Sequence, residues 1–174
     1  LTVFSSKSGQ DDIRAFRRLI EATTKTRHNG FEMEHLVTEC ARSGFYELAD
    51  SAAGLIDDPF YRGGSHVQIA DVLLDRGNRK AAIQFLAKAT QVPLDSNVNS
   101  NISVLTNVAD RYWHMGEVAR AESVLTYAES IAPSDAIHEH IDDSFRGIAI
   151  IYIKHQSIER ARILVDRIGR TYFG

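Results

Sequence analysis

The chain has one cysteine, Cys40, so it cannot close an internal disulfide. With no CxxC pair, it also lacks the usual frame of a structural zinc site. Only three prolines occur, at positions 59, 93 and 133, and long stretches between them are free to be helical. No apolar run is long enough to cross a bilayer. The one Gly-Gly pair, Gly63-Gly64, has neither a GxxxxGK[ST] nor a GxGxxG context, so it reads as the lead into a helix and not as a phosphate cradle. Net charge is −3, which argues against a general nucleic-acid binder. There is a single tryptophan, Trp113.

Catalytic signatures are equally scarce. His138-Glu139-His140 places two histidines at i and i+2, which do not share a helix face, and HExxH spacing is absent. That stretch reads as surface linker. The seven histidines accompany no serine or cysteine elbow, and Asp142-Asp143 reads as a helix cap. The expectation is therefore a protein that is not an enzyme, with no metal and no cofactor. Cys40 falls in an apolar helical pattern and is expected to be a buried small hydrophobe.

What the chain does contain is a recurring pattern. In residues 66–93, Ile69, Ala70 and Leu73 lie at helical spacing before Gly77, and Ala82, Leu86 and Ala89 after it. Gly77 suits the left-handed residue that ends a helix, and Pro93 stands where the second helix must stop. The same arrangement returns. Val108, Ala109 and Tyr112 precede Gly116, and Ala121, Leu125 and Ala128 follow it before Pro133. Leu36, Val37 and Cys40 precede Gly44, and Ala49, Ala53 and Ile56 follow. Ile148, Ala149 and Tyr152 precede Gln156, and Ala161, Val165 and Ile168 follow. Ala15, Leu19 and Ala22 mark an earlier second helix. From Ala15 through Ala49, Ala82 and Ala121 to Ala161 the steps are 34, 33, 39 and 40 residues. Such a unit cannot bury its apolar face alone, so the repeats must stack.

Large apolar, small, aromatic, glycine, alanine, large apolar, alanine and proline, in that order, resembles the tetratricopeptide repeat superfamily. The stretch from Val108 to Pro133 fits best. Val37, Cys40, Leu73 and Gln156 depart from the pattern, and no repeat has its early tryptophan. The order "DDPFYR" followed by a helix is similar to degenerate repeats of the same superfamily. The resemblance implies an all-α fold, a right-handed α-solenoid of antiparallel helix pairs, with about four hairpins and a leading half-repeat. It divides 1–174, a single domain, into a half-repeat at 1–30 and repeats at 31–60, 61–94, 95–134 and 135–174. Residues 1–9 read as the tail of a first helix, so the chain is expected to start in mid-repeat. Helix ends are expected at His28-Asn29-Gly30 and Gly169. The polar stretch 93–101 accounts for the step of 39, as a loop or as an extension of the next helix. Tyr172 and Phe173 follow a last hairpin expected to expose apolar surface.

The resemblance also implies a concave face lined by first helices. Its residues would be Glu34, Thr38 and Arg42, then Val67, Asp71, Leu74 and Asp75, then Thr106, Asp110, Trp113 and His114, and last Arg146, Ile150, Ile153 and Lys154. The peptide-binding candidates among them are Arg42, Asp71, Asp75, Asp110, Trp113, His114, Arg146 and Lys154. Trp113 is either an exposed anchor or a packing residue against the next repeat. Asp71, Asp75 and Asp110 are either an acidic stripe for a basic or amide-rich peptide or solvated surface. The carboxylate clamp of chaperone-binding members is not matched, since Glu34, Thr38, Gln68 and Ser103 stand at its positions and only Asn107 has a suitable side chain.

Charge is distributed in blocks. Residues 1–30 carry +3, 31–60 carry −6, 61–100 carry +2, 101–144 carry −6 and 145–174 carry +4. These blocks are solvated helix faces, or they steer a partner or pair the end of one molecule with the middle of another. Three functions follow as expectations. The first is a non-catalytic protein–protein interaction module, soluble and cytoplasmic, binding a partner peptide or helix. The second is a self-assembling scaffold that forms homo-oligomers through its terminal repeats. The third is a regulatory segment of a larger protein whose activity lies elsewhere. None involves a membrane or nucleic acid.

Overall fold

In the computed structural model, residues 30–92, 98–132 and 139–173 are described. The leading half-repeat with Ala15, Leu19 and Ala22, as well as Pro93, Pro133 and His138, lies outside them. So do the side chains of Ile168, Tyr172 and Phe173. Every element among the described residues is α-helical. In order these are α1 (Gly30–Arg42), α2 (Tyr46–Gly54), α3 (Pro59–Asp75), α4 (Arg79–Thr90), α5 (Val98–His114), α6 (Val118–Ile131), α7 (Glu139–Lys154) and α8 (Ile158–Phe173).

Four tight turns of one design join the helices into pairs. Their left-handed residues are Gly44, Gly77, Gly116 and Gln156, with φ of 86°, 73°, 74° and 62°. Each turn closes with the same two backbone bonds. The amide of Gly77 donates to the Leu74 carbonyl at 2.8 Å, and that of Asn78 to Leu73 at 2.8 Å. Equivalent bonds run from Gly44 to Ala41 and Phe45 to Cys40, from Gly116 to Trp113 and Glu117 to Tyr112, and from Gln156 to Ile153 and Ser157 to Tyr152. This is the Schellman closure, which satisfies carbonyls that a helix end would leave bare. Glycine tolerates its positive φ, whereas Gln156 adopts it against the steric preference of a side chain.

The alanine after each turn is the contact point within its pair. Ala49, Ala82 and Ala121 are fully buried and Ala161 nearly so. A methyl group there lets two helix backbones approach, and Leu86, Leu125, Leu73, Ile148 and Tyr152 fill the space around it. Truncating a fully buried leucine such as Leu86 to alanine costs about 2–5 kcal/mol.

Packing follows sequence order. Each helix packs on its partner across the turn, and α1, α3, α5 and α7 form a continuous row in which each touches the next. The second helices α2, α4 and α6 touch the first helix of the following pair. Polar contacts tie successive pairs. Arg76 donates to the Tyr46 hydroxyl at 2.7 Å and to the Arg42 carbonyl, Lys88 pairs with Asp50, and Arg79 meets Glu117 at 2.7 Å.

Three expectations change. Gly63 and Gly64 do not lead into α3 but lie inside it. Asp58 caps this helix by accepting from the Phe60 amide at 2.8 Å, and Pro59 fills its first position. A Cβ on Gly63 would stand 2.8 Å from Val104 Cγ1, so the glycine is where α3 and α5 press together. Gly30 is the first residue of α1, and a Cβ there would stand within 2.3 Å of the Tyr61 ring. Finally, α8 does not stop at Gly169 but runs on to Phe173, while α5 starts at Val98, so the helical reading of 93–101 holds for the later part of that stretch. Cys40 is buried, and burial pushes its thiol up to about 11, as befits an inert packing residue.

Candidate functional site

The last turn of α5 brings together the densest polar cluster among the described residues. Asp110, Arg111, Trp113 and His114 follow one another there, and Lys154 and His155 arrive from the end of α7. The Schellman turn at Gln156 aims His155 back at α5, and helix spacing sets Asp110 and His114 on one face.

Asp110 is the centre. It is 9% exposed, and Lys154 Nζ donates to both its oxygens at 2.8 and 2.7 Å. His155 Nε2 donates to Oδ1 at 2.8 Å. His114 Nε2 lies 3.6 Å from the same oxygen, and Arg111 Nη1 lies 4.0 Å from Oδ2. Burial works to raise the Asp110 pKa, but the hydrogen bonds from Lys154 and His155, with the nearby charge of Lys154 and His114, hold it below the ordinary aspartate value.

A second ion pair lies alongside. Arg111 reaches back to α3 and grips Asp71 with both arms of its fork, Nε to Oδ1 at 3.0 Å and Nη2 to Oδ2 at 2.9 Å. Its third nitrogen, Nη1, donates to Asn107 Oδ1 at 3.0 Å. The Asp71 contact raises the already high Arg111 pKa. Asp71 and Asp110 thus occupy equivalent places on successive first helices, and each is neutralised by a cation of the next one.

Trp113 is half-buried and belongs to the same joint. Its ring stacks on His155 with centroids 4.7 Å apart and planes within 6°, and it meets Tyr152 edge-on at 5.9 Å. Tyr152 donates to Glu129 Oε1 at 2.8 Å. Burial, and then the Glu129 carboxylate, push its phenol well above the ordinary tyrosine range. Of the two roles weighed for Trp113, packing against the next pair is the one its geometry fills.

Arg42, Asp75, His114 and Lys154 each stand two residues before a left-handed turn residue, so they form one register row, and all are exposed. Arg42 pairs with Glu39 at 2.8 Å. Asp75 has no ion pair among the described residues. Arg146 is exposed on α7, eight residues before Lys154. Thr38, Val67 and Thr106, which the family pattern places on the open face, are buried because successive first helices close over them. Ile150 and Ile153, also placed there, are 53% and 52% exposed.

His66 was not foreseen as special. It is buried on α3 with Nε2 3.4 Å from Asp50 Oδ1 and no partner for Nδ1 among the described residues. Burial lowers its pKa despite the Asp50 charge. The meeting of His155 with Asp110 and His114 was also invisible in the sequence, because no spacing rule links positions on two different helix pairs. No family model, curated protein or solved structure matches the chain.

Proposed function

We propose that the chain is a non-catalytic protein–protein interaction module. In this reading its helix pairs form a right-handed, tetratricopeptide-like solenoid, and a partner peptide or helix lies along the row of first helices. The observation that carries the reading is the register row of Arg42, Asp75, His114 and Lys154. One exposed polar side chain from each of four successive pairs faces out at the same place in the turn. Such a line offers a guest chain one contact per pair, and Ile150 and Ile153 add apolar area at its end. Asp71, Asp110 and Trp113 support the line from beneath, since ion pairs and stacking already occupy them. The charge order along the row, positive, negative, imidazole and positive, suits a partner segment with alternating charges.

The test is a screen of displayed peptides against the whole chain. Asp75→Ala and His114→Ala should weaken capture, while Lys80→Ala, on a second helix, should not. Capture that is unchanged in Asp75→Ala and His114→Ala, with helicity intact, would sink the reading.

One observation favours the self-assembling alternative. Val165 is 52% exposed, yet its equivalents Leu86 and Leu125 are fully buried beneath the following pair. Ile150 and Ile153 likewise occupy the places of Asp110 and Trp113. The last pair therefore presents a stacking face that a second copy could cover. Sedimentation equilibrium that returns a monomer at high protein concentration and low salt removes this alternative.

A further inference from the structure

We infer that Asp110, His114 and His155 form a binding site for one divalent transition-metal ion of the zinc type, and that Lys154 competes with the metal by placing its ammonium on the same carboxylate. The donor atoms converge. One carboxylate oxygen and two imidazole nitrogens all lie within 4.8 Å of one another. An ion held at about 2.0–2.1 Å by three such ligands wants donors about 3.3 Å apart. The contacts to Asp110 Oδ1, 2.8 Å from His155 and 3.6 Å from His114, straddle that value. Bringing the two imidazoles to the same spacing needs only a small swing of His114, whose side chain is 59% exposed and free to make it.

The donor set is that of a borderline ion. Two imidazoles with one carboxylate suit zinc, cobalt, nickel or iron, and suit calcium or magnesium poorly. Two of the ligands are already oriented. Asp110 is fixed by its hydrogen bonds, and the His155 ring is held in plane by Trp113 stacked upon it. Support of this kind around a ligand is what separates a site from a chance cluster. The third ligand closes the site from the solvent side, so water completes the coordination.

The place is also one where the protein keeps a positive charge. Lys154 holds both oxygens of Asp110, yet its side chain is 47% exposed and can swing away into water. A divalent ion offers the carboxylate more charge and gains two nitrogen ligands. On binding, the hydrogen that His155 Nε2 gives to Asp110 leaves for solvent or moves to Nδ1.

Trp113 supplies the readout, being the lone tryptophan and in contact with a ligand ring. Cobalt(II) titrated into the whole chain should quench its fluorescence saturably with a stoichiometry of one, and zinc(II) should restore the signal. His114→Ala removes an exposed ligand and should leave the thermal melt unchanged, while cobalt affinity falls by about tenfold or more. Lys154→Met should bind cobalt more tightly than the parent. Quenching that rises linearly with cobalt and ignores zinc would overturn the site. So would saturable quenching of equal affinity in a folded His114→Ala protein. A Lys154→Met protein that binds no more tightly overturns the competition.

Discussion

Trp113 and His155 lie face to face with ring planes 6° apart, although they belong to different helix pairs. The contact locks the third pair to the fourth. It stands beside the Lys154–Asp110 ion pair, so apolar and polar cohesion are concentrated in one joint.

Trp113→Ala should therefore cost more than its half-buried state suggests. Loss of the ring removes contacts to both His155 and Tyr152 and leaves a gap between pairs, for a destabilisation of about 2–4 kcal/mol. Urea denaturation followed by circular dichroism measures it. A change within the error of the wild-type midpoint would show that the stack contributes nothing.

The two gripped aspartates offer a double-mutant cycle. Asp71 and Arg111 form a two-armed, partly covered pair, whereas Glu159 and Arg162 are joined on an exposed helix face at 2.7 Å. Alanine cycles should give about 1 kcal/mol of coupling for Asp71–Arg111. For Glu159–Arg162 no measurable coupling is expected. Equal coupling in both cycles would contradict the role of geometry argued here.

Acid should weaken the fold in two separate steps. The folded pKa of His66 is depressed by burial, so the unfolded chain takes up its proton first. Stability is complete above the unfolded histidine value of 6.5 and declines as pH falls below it toward the folded value. Asp110 is also depressed, so its contribution is complete above the unfolded value of 3.8 and is lost as pH falls through the lower folded value. His66→Gln should flatten the upper step only, and Asp110→Asn the lower only. Denaturation midpoints at stepped pH will separate the two.

Glycines should divide by their surroundings. Gly63→Ala drives a methyl into Val104 at 2.8 Å between two packed helices, and should cost about 1–3 kcal/mol. Gly147→Ala, inside α7 with nothing among the described residues within 4 Å of the new carbon, should stabilise by about 0.5–1 kcal/mol. Thermal melts of the two variants should move in opposite directions.

At Gln156 the left-handed φ of 62° is held by a residue with a side chain. Gln156→Gly should relieve that strain and raise stability by up to about 1 kcal/mol, since glycine pays more backbone entropy but no steric cost. A lower melting temperature would mean that the glutamine side chain makes a compensating contact.

The local code was legible residue by residue. The alanine five residues after each turn glycine, with Gln156 in the same slot before Ala161, declared four turns and the faces that meet across them, because helix periodicity and left-handed backbone are properties of short segments. Gly63 and Gly64 were misread for the complementary reason. Their purpose is to admit Val104 and the neighbourhood of Glu34, and these arrive from other pairs. The Asp110 cluster is of the same kind. Sequence alone determined which stretches coil and where the first helix of each pair stops at its left-handed turn. Tertiary structure alone decided that Lys154 and His155 would close on Asp110, that Arg111 would take Asp71, and that Trp113 would stack on His155. Such pairings depend on the offset and tilt between stacked pairs, which no single segment encodes.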